Sequence, residues 1–192
     1  MIKRYEGFAP EQSASGPREK LPAGGYVAKI LNAEIVEYSW GSVLVLAHDI
    51  TEGEYTGFWK DDYDTNERED RKWRGNIRIT LPKGDGSDKD EWAKRAFNNL
   101  VWAAEYCNPG YKWNWDEKTL VGKEIGVLYR NKEWAMNGQT GWTTEACSVV
   151  SSESIRDNTF RVPKDKPLAN KPVVPAAPTF TVLDDDDGEL PF

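Results

Sequence analysis

The 192-residue chain has two cysteines, Cys107 and Cys147, and one histidine, His48. A structural zinc site usually takes four Cys or His ligands, so these three side chains fall short of one. Triads that use histidine as base are confined to His48. That residue sits inside the apolar run Val43 to Ile50 and reads as a strand histidine. No window approaches the roughly 20 consecutive apolar residues a bilayer needs. The opening residues, Met1 to Phe8, lack the apolar stretch of an export signal. A cytoplasmic protein without disulfides, metal or other cofactor is expected, and no membrane partner.

Aromatic rings, by contrast, are abundant: nine Trp, eight Tyr and six Phe. A core of this size does not need nine indoles, so some are expected to be surface platforms that take bases or cations on their faces. The formal net charge of -7 argues, taken whole, against a polyanionic partner. Its distribution changes that. Residues 1–160 hold 21 basic against 26 acidic side chains, and residues 161–183 hold four basic side chains against Asp165. Residues 184–192 hold Asp184, Asp185, Asp186, Asp187 and Glu189 with no cation.

These shifts divide the chain into an N-terminal arm (1–23), a body (24–160), a Pro-rich linker (161–183) and an acidic tip (184–192). The linker carries Pro163, Pro167, Pro172, Pro175 and Pro178 and is expected to be an extended, disordered tether with nothing to pack a core. The tip runs from the four aspartates through Gly188 and Glu189 to Leu190, Pro191 and Phe192. A solubilising tail has no need of that ending, whereas a terminal Phe beside an acidic run offers an anchor for a pocket flanked by cations.

The body reads as mainly β with one inserted helix. Strands are expected over Tyr26 to Tyr38, with a bulge near Asn32-Ala33-Glu34, over Val43 to Ile50, Tyr55 to Lys60 and Asn76 to Leu81. Two more are expected over Gly122 to Trp134 and Trp142 to Val150, joined through Asn137-Gly138. Between them the period changes: Ser87 and Asp88 are good N-caps, and Trp92, Ala93, Ala96, Phe97, Leu100, Val101, Ala104 and Cys107 mark a helix that Asn108-Pro109-Gly110 ends. Five or six strands around one helix fit an OB-fold-like Greek-key barrel better than a sandwich. A small α+β sheet on one helix is the other architecture compatible with the pattern.

Residues 71–83 carry five basic side chains and no acidic one. Trp73 lies among Arg71, Lys72 and Arg74, with Arg78 farther along. Upstream stand Trp59, Lys60 and Tyr63. Single-strand binders need this interleaving, because cations hold phosphates while rings stack on bases without reading sequence. Trp59 is equally compatible with a core position. Trp40, beside Gly41, reads as a ring at a hairpin tip. Arg130, Lys132 and Trp134 form a second group that either flanks the same groove or, for Trp134, packs across strands. Trp113 and Trp115 read as core or lid. Asp61 to Glu67 resembles a metal loop only superficially, because a calcium loop begun at Asp62 would need Gly where Glu67 stands and Glu where Trp73 stands.

These residues carry a resemblance in two parts. The end, Asp184 to Asp187 through Leu190-Pro191-Phe192, resembles the acidic C-terminal tip of bacterial and phage single-stranded-DNA-binding proteins. The body is similar to a phage and mobile-element family of barrel proteins that bind single-stranded DNA, through Gly25-Tyr26, Ile30, Asp49 to Tyr55, Leu120 to Gly126 and Phe160-Arg161-Val162-Pro163. The resemblance implies a non-enzymatic OB-fold protein of phage or mobile-element replication and recombination, acting in the host cytoplasm. It implies that the tip recruits replication or recombination proteins. The oligomeric state stays open. The rival reading is an acidic adaptor or DNA mimic that binds another protein and never touches DNA.

Overall fold

A computed structural model describes residues 20–169 of the chain. The acidic tip, most of the N-terminal arm and the linker beyond residue 169 lie outside the described residues.

Alternation of apolar and polar side chains builds the sheet. In the second strand, β2 (Gly41–Ile50), Leu44, Leu46, His48 and Ile50 face inward and are buried. The first strand, β1 (Gly24–Tyr38), is 15 residues long and serves two partners. Its start pairs with β4 (Glu124–Met136) from Gly24 against Tyr129 to Lys29 against Glu124. Its later part pairs with β2, and the register slips between Ile30 and Asn32, at the edge of the expected bulge. β3 (Asn76–Thr80) lies on the far side of β2, and β5 (Gln139–Val150) on the far side of β4. All pairings are antiparallel, in the order β3-β2-β1-β4-β5. The two outer strands, β3 and β5, approach to within 8 Å between Cα atoms, so the sheet curls back on itself. Asn137 and Gly138, at φ 50° and 77°, make the tight turn between β4 and β5.

Three helices accompany the sheet among the described residues: α1 (Phe58–Asp64), α2 (Asp88–Cys107) and α3 (Ser152–Arg156). A 3₁₀ turn, Glu117–Leu120, leads into β4. α2 starts where the sequence places it, with the Ser87 hydroxyl accepting from the Asp90 N–H. It buries Ala93, Leu100, Ala103 and Ala104 against β3, β4 and β5. The core between helix and sheet holds Ile30, Leu46, Ile77, Leu100, Ile125 and Val127, each at most 2% exposed. No helix among the described residues is long and apolar enough to cross a membrane.

Two expectations need correction. The strand expected over Tyr55 to Lys60 is a turn followed by α1, which leaves five strands in the sheet. Gly57, at φ 78°, reverses the chain, and one carboxylate oxygen of Asp49 on β2 accepts from the N–H groups of Ile50 (2.9 Å) and Trp59 (3.0 Å). That anchor fixes the first turn of α1. The linker, expected to be a disordered tether with nothing to pack a core, buries no residue in its described part, 161–169, but is held there by hydrogen bonds. Lys166 donates its N–H to the Asn131 carbonyl at 2.8 Å and accepts from the Glu133 N–H at 2.9 Å, and the Leu168 N–H reaches the Glu133 carboxylate at 3.1 Å. This short parallel bridge occupies the β4 edge that β1 leaves open beyond Gly24.

Candidate nucleic-acid interface

The residues singled out in the sequence fall into three places. The first is the segment from α1 to β3. Tyr63 on α1 takes the Arg71 guanidinium over its ring at 4.9 Å, and its own ring lies 5.9 Å from that of Trp73. Trp73 is half-buried, packs against the core and donates its indole N–H to the Gly75 carbonyl at 3.1 Å. Arg74 lies 3.6 Å from the Asp62 carboxylate. Lys60 pairs with Asp64 one turn along α1. Lys72 is exposed. Arg71, Tyr63, Trp73 and Arg74 do come together, but Asp62 of the same helix offsets part of the Arg74 charge.

Trp59 does not belong to this surface. Its ring is buried, stacks on Tyr129 at 6.1 Å and donates its N–H to the Tyr129 hydroxyl at 2.9 Å. The same hydroxyl lies 2.5 Å from His48 Nε2, so its proton goes to a neutral imidazole. Burial holds the His48 pKa down at about 4, against the opposing hydrogen bond to the Leu46 carbonyl. Trp59 is therefore a core ring that needed a buried acceptor, and offers no face to a base. Of the two positions open to Trp59 in the sequence, the structure has the core one, and it follows from α1, because a strand at this place would have turned alternate aromatics outward.

The second place is the β4–β5 hairpin. Arg130 and Lys132 both reach Glu145, at 2.7 and 2.9 Å, and Lys166 approaches it at 3.8 Å. Burial raises the Glu145 pKa, but hydrogen bonds from Lys132 and Arg130 outweigh it and the net shift is downward. Both cations are thus spent within the hairpin. The Trp134 ring, 37% exposed, covers Gly141, where an added Cβ would lie 2.8 Å from it.

The third place is a cleft of about 710 Å³ between β3, the loop after it, α2 and β5. Trp40, from the β1–β2 turn, and Arg78, from the outward face of β3, line it. The Trp40 ring stacks on Tyr38 at 5.1 Å with 11° between planes, and Arg78 donates to the Tyr38 hydroxyl at 3.1 Å. The sequence reading missed Lys89 and Trp92 and took Lys83 only as the end of a basic run. Trp92 is 69% exposed and Trp40 54%, and the buried Ile77, Ile79 and Val149 also line the cleft. Arg95 lies over the Trp92 ring at 5.5 Å. Neither Lys83 nor Lys89 takes part in an ion pair among the described residues. The signal that could have found Trp92 is its place at the border of the helical stripe, where a large ring has only half a core to enter.

Trp113 is half-buried against the core, whereas Trp115, at φ 68°, is 82% exposed and faces Phe97 at 6.3 Å. Asp61, Asp62 and Asp64 lie on α1, and no group of three or more His, Cys, Asp or Glu side chains among the described residues is placed to hold a metal ion. No protein-family model matches the chain, and no curated protein matches it.

Proposed function

We propose that the chain binds single-stranded DNA without reading its sequence and uses its acidic tip to recruit partner proteins. The cleft carries this reading: two exposed indoles from separate elements line it together with apolar side chains and with Arg78, Lys83 and Lys89. Rings of that kind take bases by stacking, at about 1–3 kcal/mol each, and the cations take the phosphates. The strand order, the approach of β3 to β5 and the helix between β3 and β4 favour a Greek-key barrel of the OB-fold type. In this reading the cleft is the centre of the interface, and the Arg71–Arg74 segment is a second contact, weaker because Asp62 lies against Arg74. Replication or recombination proteins in a phage-infected or element-bearing cell are the partners of Asp184 to Phe192.

A tryptophan-fluorescence titration with oligo-dT at two salt concentrations, against duplex DNA of equal charge, tests it. Quenching by the single strand that weakens as salt rises is the expected result. Absence of quenching at either salt concentration would overturn it and leave the acidic adaptor as the better reading.

A further inference from the structure

The cations of the cleft are not equally free. Lys83 is exposed, yet its backbone N–H is held by a neighbour and its stem runs beside a glycine. The N–H groups of Lys83 and Gly84 donate to one carboxylate oxygen of Asp90, at 2.6 and 3.0 Å. Asp90 is itself buried, and its other oxygen lies 3.1 Å from the Lys94 ammonium. Gly84 and Gly86, at φ 76° and 72°, let the loop turn tightly enough to present both amides to that carboxylate. The stem of Lys83 lies against the bare backbone of Gly41, in the turn that carries Trp40. A Cβ on Gly41, whose φ is +141°, would sit 2.7 Å from Lys83 Cε.

We propose that Lys83 is the phosphate anchor of a subsite in this cleft that takes one or two nucleotides of a single strand, with Gly41 and Asp90 as its positioning residues. The inference rests on the single-strand reading and deepens it. The cleft lies in the size range, about 300–1,000 Å³, that encloses a small ligand. A base seated against Trp40 or Trp92 must offer an open face, which a duplex does not. Its phosphodiester then needs a compact cation beside the ring, and Lys83 is the one whose backbone is anchored in the cleft loop and whose stem lies beside the turn that carries Trp40. Asp85, in the same loop, keeps the site from being a general anion sink and leaves the rings to select the ligand.

The test measures oligo-dT affinity against salt for the full chain and for Lys83→Ala, Gly41→Ala, the double variant and, as a control distant from the cleft, Lys112→Ala. Lys83→Ala should weaken binding about five- to tenfold at low salt and flatten the slope of log affinity against log salt by about 0.7, the release expected for one single-strand phosphate. Gly41→Ala should give part of that loss, because the methyl displaces the lysine, and the double variant should bind no more weakly than Lys83→Ala alone. Lys112→Ala should match the unsubstituted chain. If that chain binds oligo-dT and Lys83→Ala keeps its affinity and slope, the subsite is overturned while the functional reading stands. If the unsubstituted chain does not bind, the functional reading fails first and the subsite with it. Lys83 is an exposed loop side chain, so this variant tests the inference even where Gly41→Ala fails to fold.

Discussion

Gly75 has no space for a side chain. A methyl there would lie 2.5 Å from the His48 carbonyl oxygen and 2.5 Å from the Trp59 ring. Neither neighbour can yield, since one is strand backbone and the other a buried indole. Gly75→Ala should therefore cost about 1–3 kcal/mol of stability, read as a lower urea midpoint at unchanged slope. His48 gives a prediction in pH. Its folded pKa, about 4, lies below the ordinary value near 6.5, so between those values the unfolded chain binds the proton and the folded chain does not. Stability should rise with pH across that window and flatten above it. A urea midpoint that is the same at pH 5 and pH 7 would contradict the buried neutral imidazole. At Trp92 the expected loss is functional. Trp92→Ala should weaken oligo-dT binding by about 1–3 kcal/mol with little change in melting temperature, because the ring is mostly exposed. Trp73→Ala should lower stability, because that ring packs on the core.

Among the elements, α2 was the most legible, for the reason that its signals are local. A capping serine, acidic residues in the first turn and apolar side chains at three- and four-residue spacing all lie within the helix itself. Ser87→Ala should cost about 1 kcal/mol, and a circular-dichroism melt would record it. The hairpin through Asn137-Gly138 was legible in the same way, since both positions need positive φ. α1 was not. From Tyr55 to Lys60 the aromatics and polar residues suggest a strand, and the contact that decides otherwise comes from Asp49 on β2. An anchor of that kind is set by tertiary placement, which the local pattern does not carry. The candidate site divides likewise. Trp40 and Arg78 were visible as a tip ring and a strand cation, whereas Trp92 and Lys89 join them only because α2 folds back beside β3.

For the molecule as a whole, the overall charge is a poor guide to the surface a partner meets. Acidic side chains are used internally: Glu145 holds three cations of the hairpin and linker, and Asp90 holds the loop that carries Lys83. Among the described residues Lys83 and Lys89 make no ion pair in the cleft, which is how a chain of net charge -7 can offer a polyanion a place to bind. Removing residues 184–192 should raise affinity for oligo-dT at low salt, because five negative charges no longer compete with phosphate, and should have little effect at high salt. Equal affinities of the two chains at low salt would exclude that competition.

The bridge at Lys166 bears on how the molecule responds to tension. Any force drawn through the C-terminal end arrives first at the Leu168 contact with Glu133, the two backbone hydrogen bonds and the Glu145 pairing that hold Lys166 to the hairpin, and the Asn131 hydrogen bond to Asp165. These few bonds are far fewer than those of the β1–β4 and β4–β5 ladders behind them. In an optical trap, pulling on that end should give a small extension at low force as residues 164–168 peel away, well before the sheet yields. Under the proposed function, the clasp would act as a mechanical fuse between a partner on the tip and the surface that binds the strand.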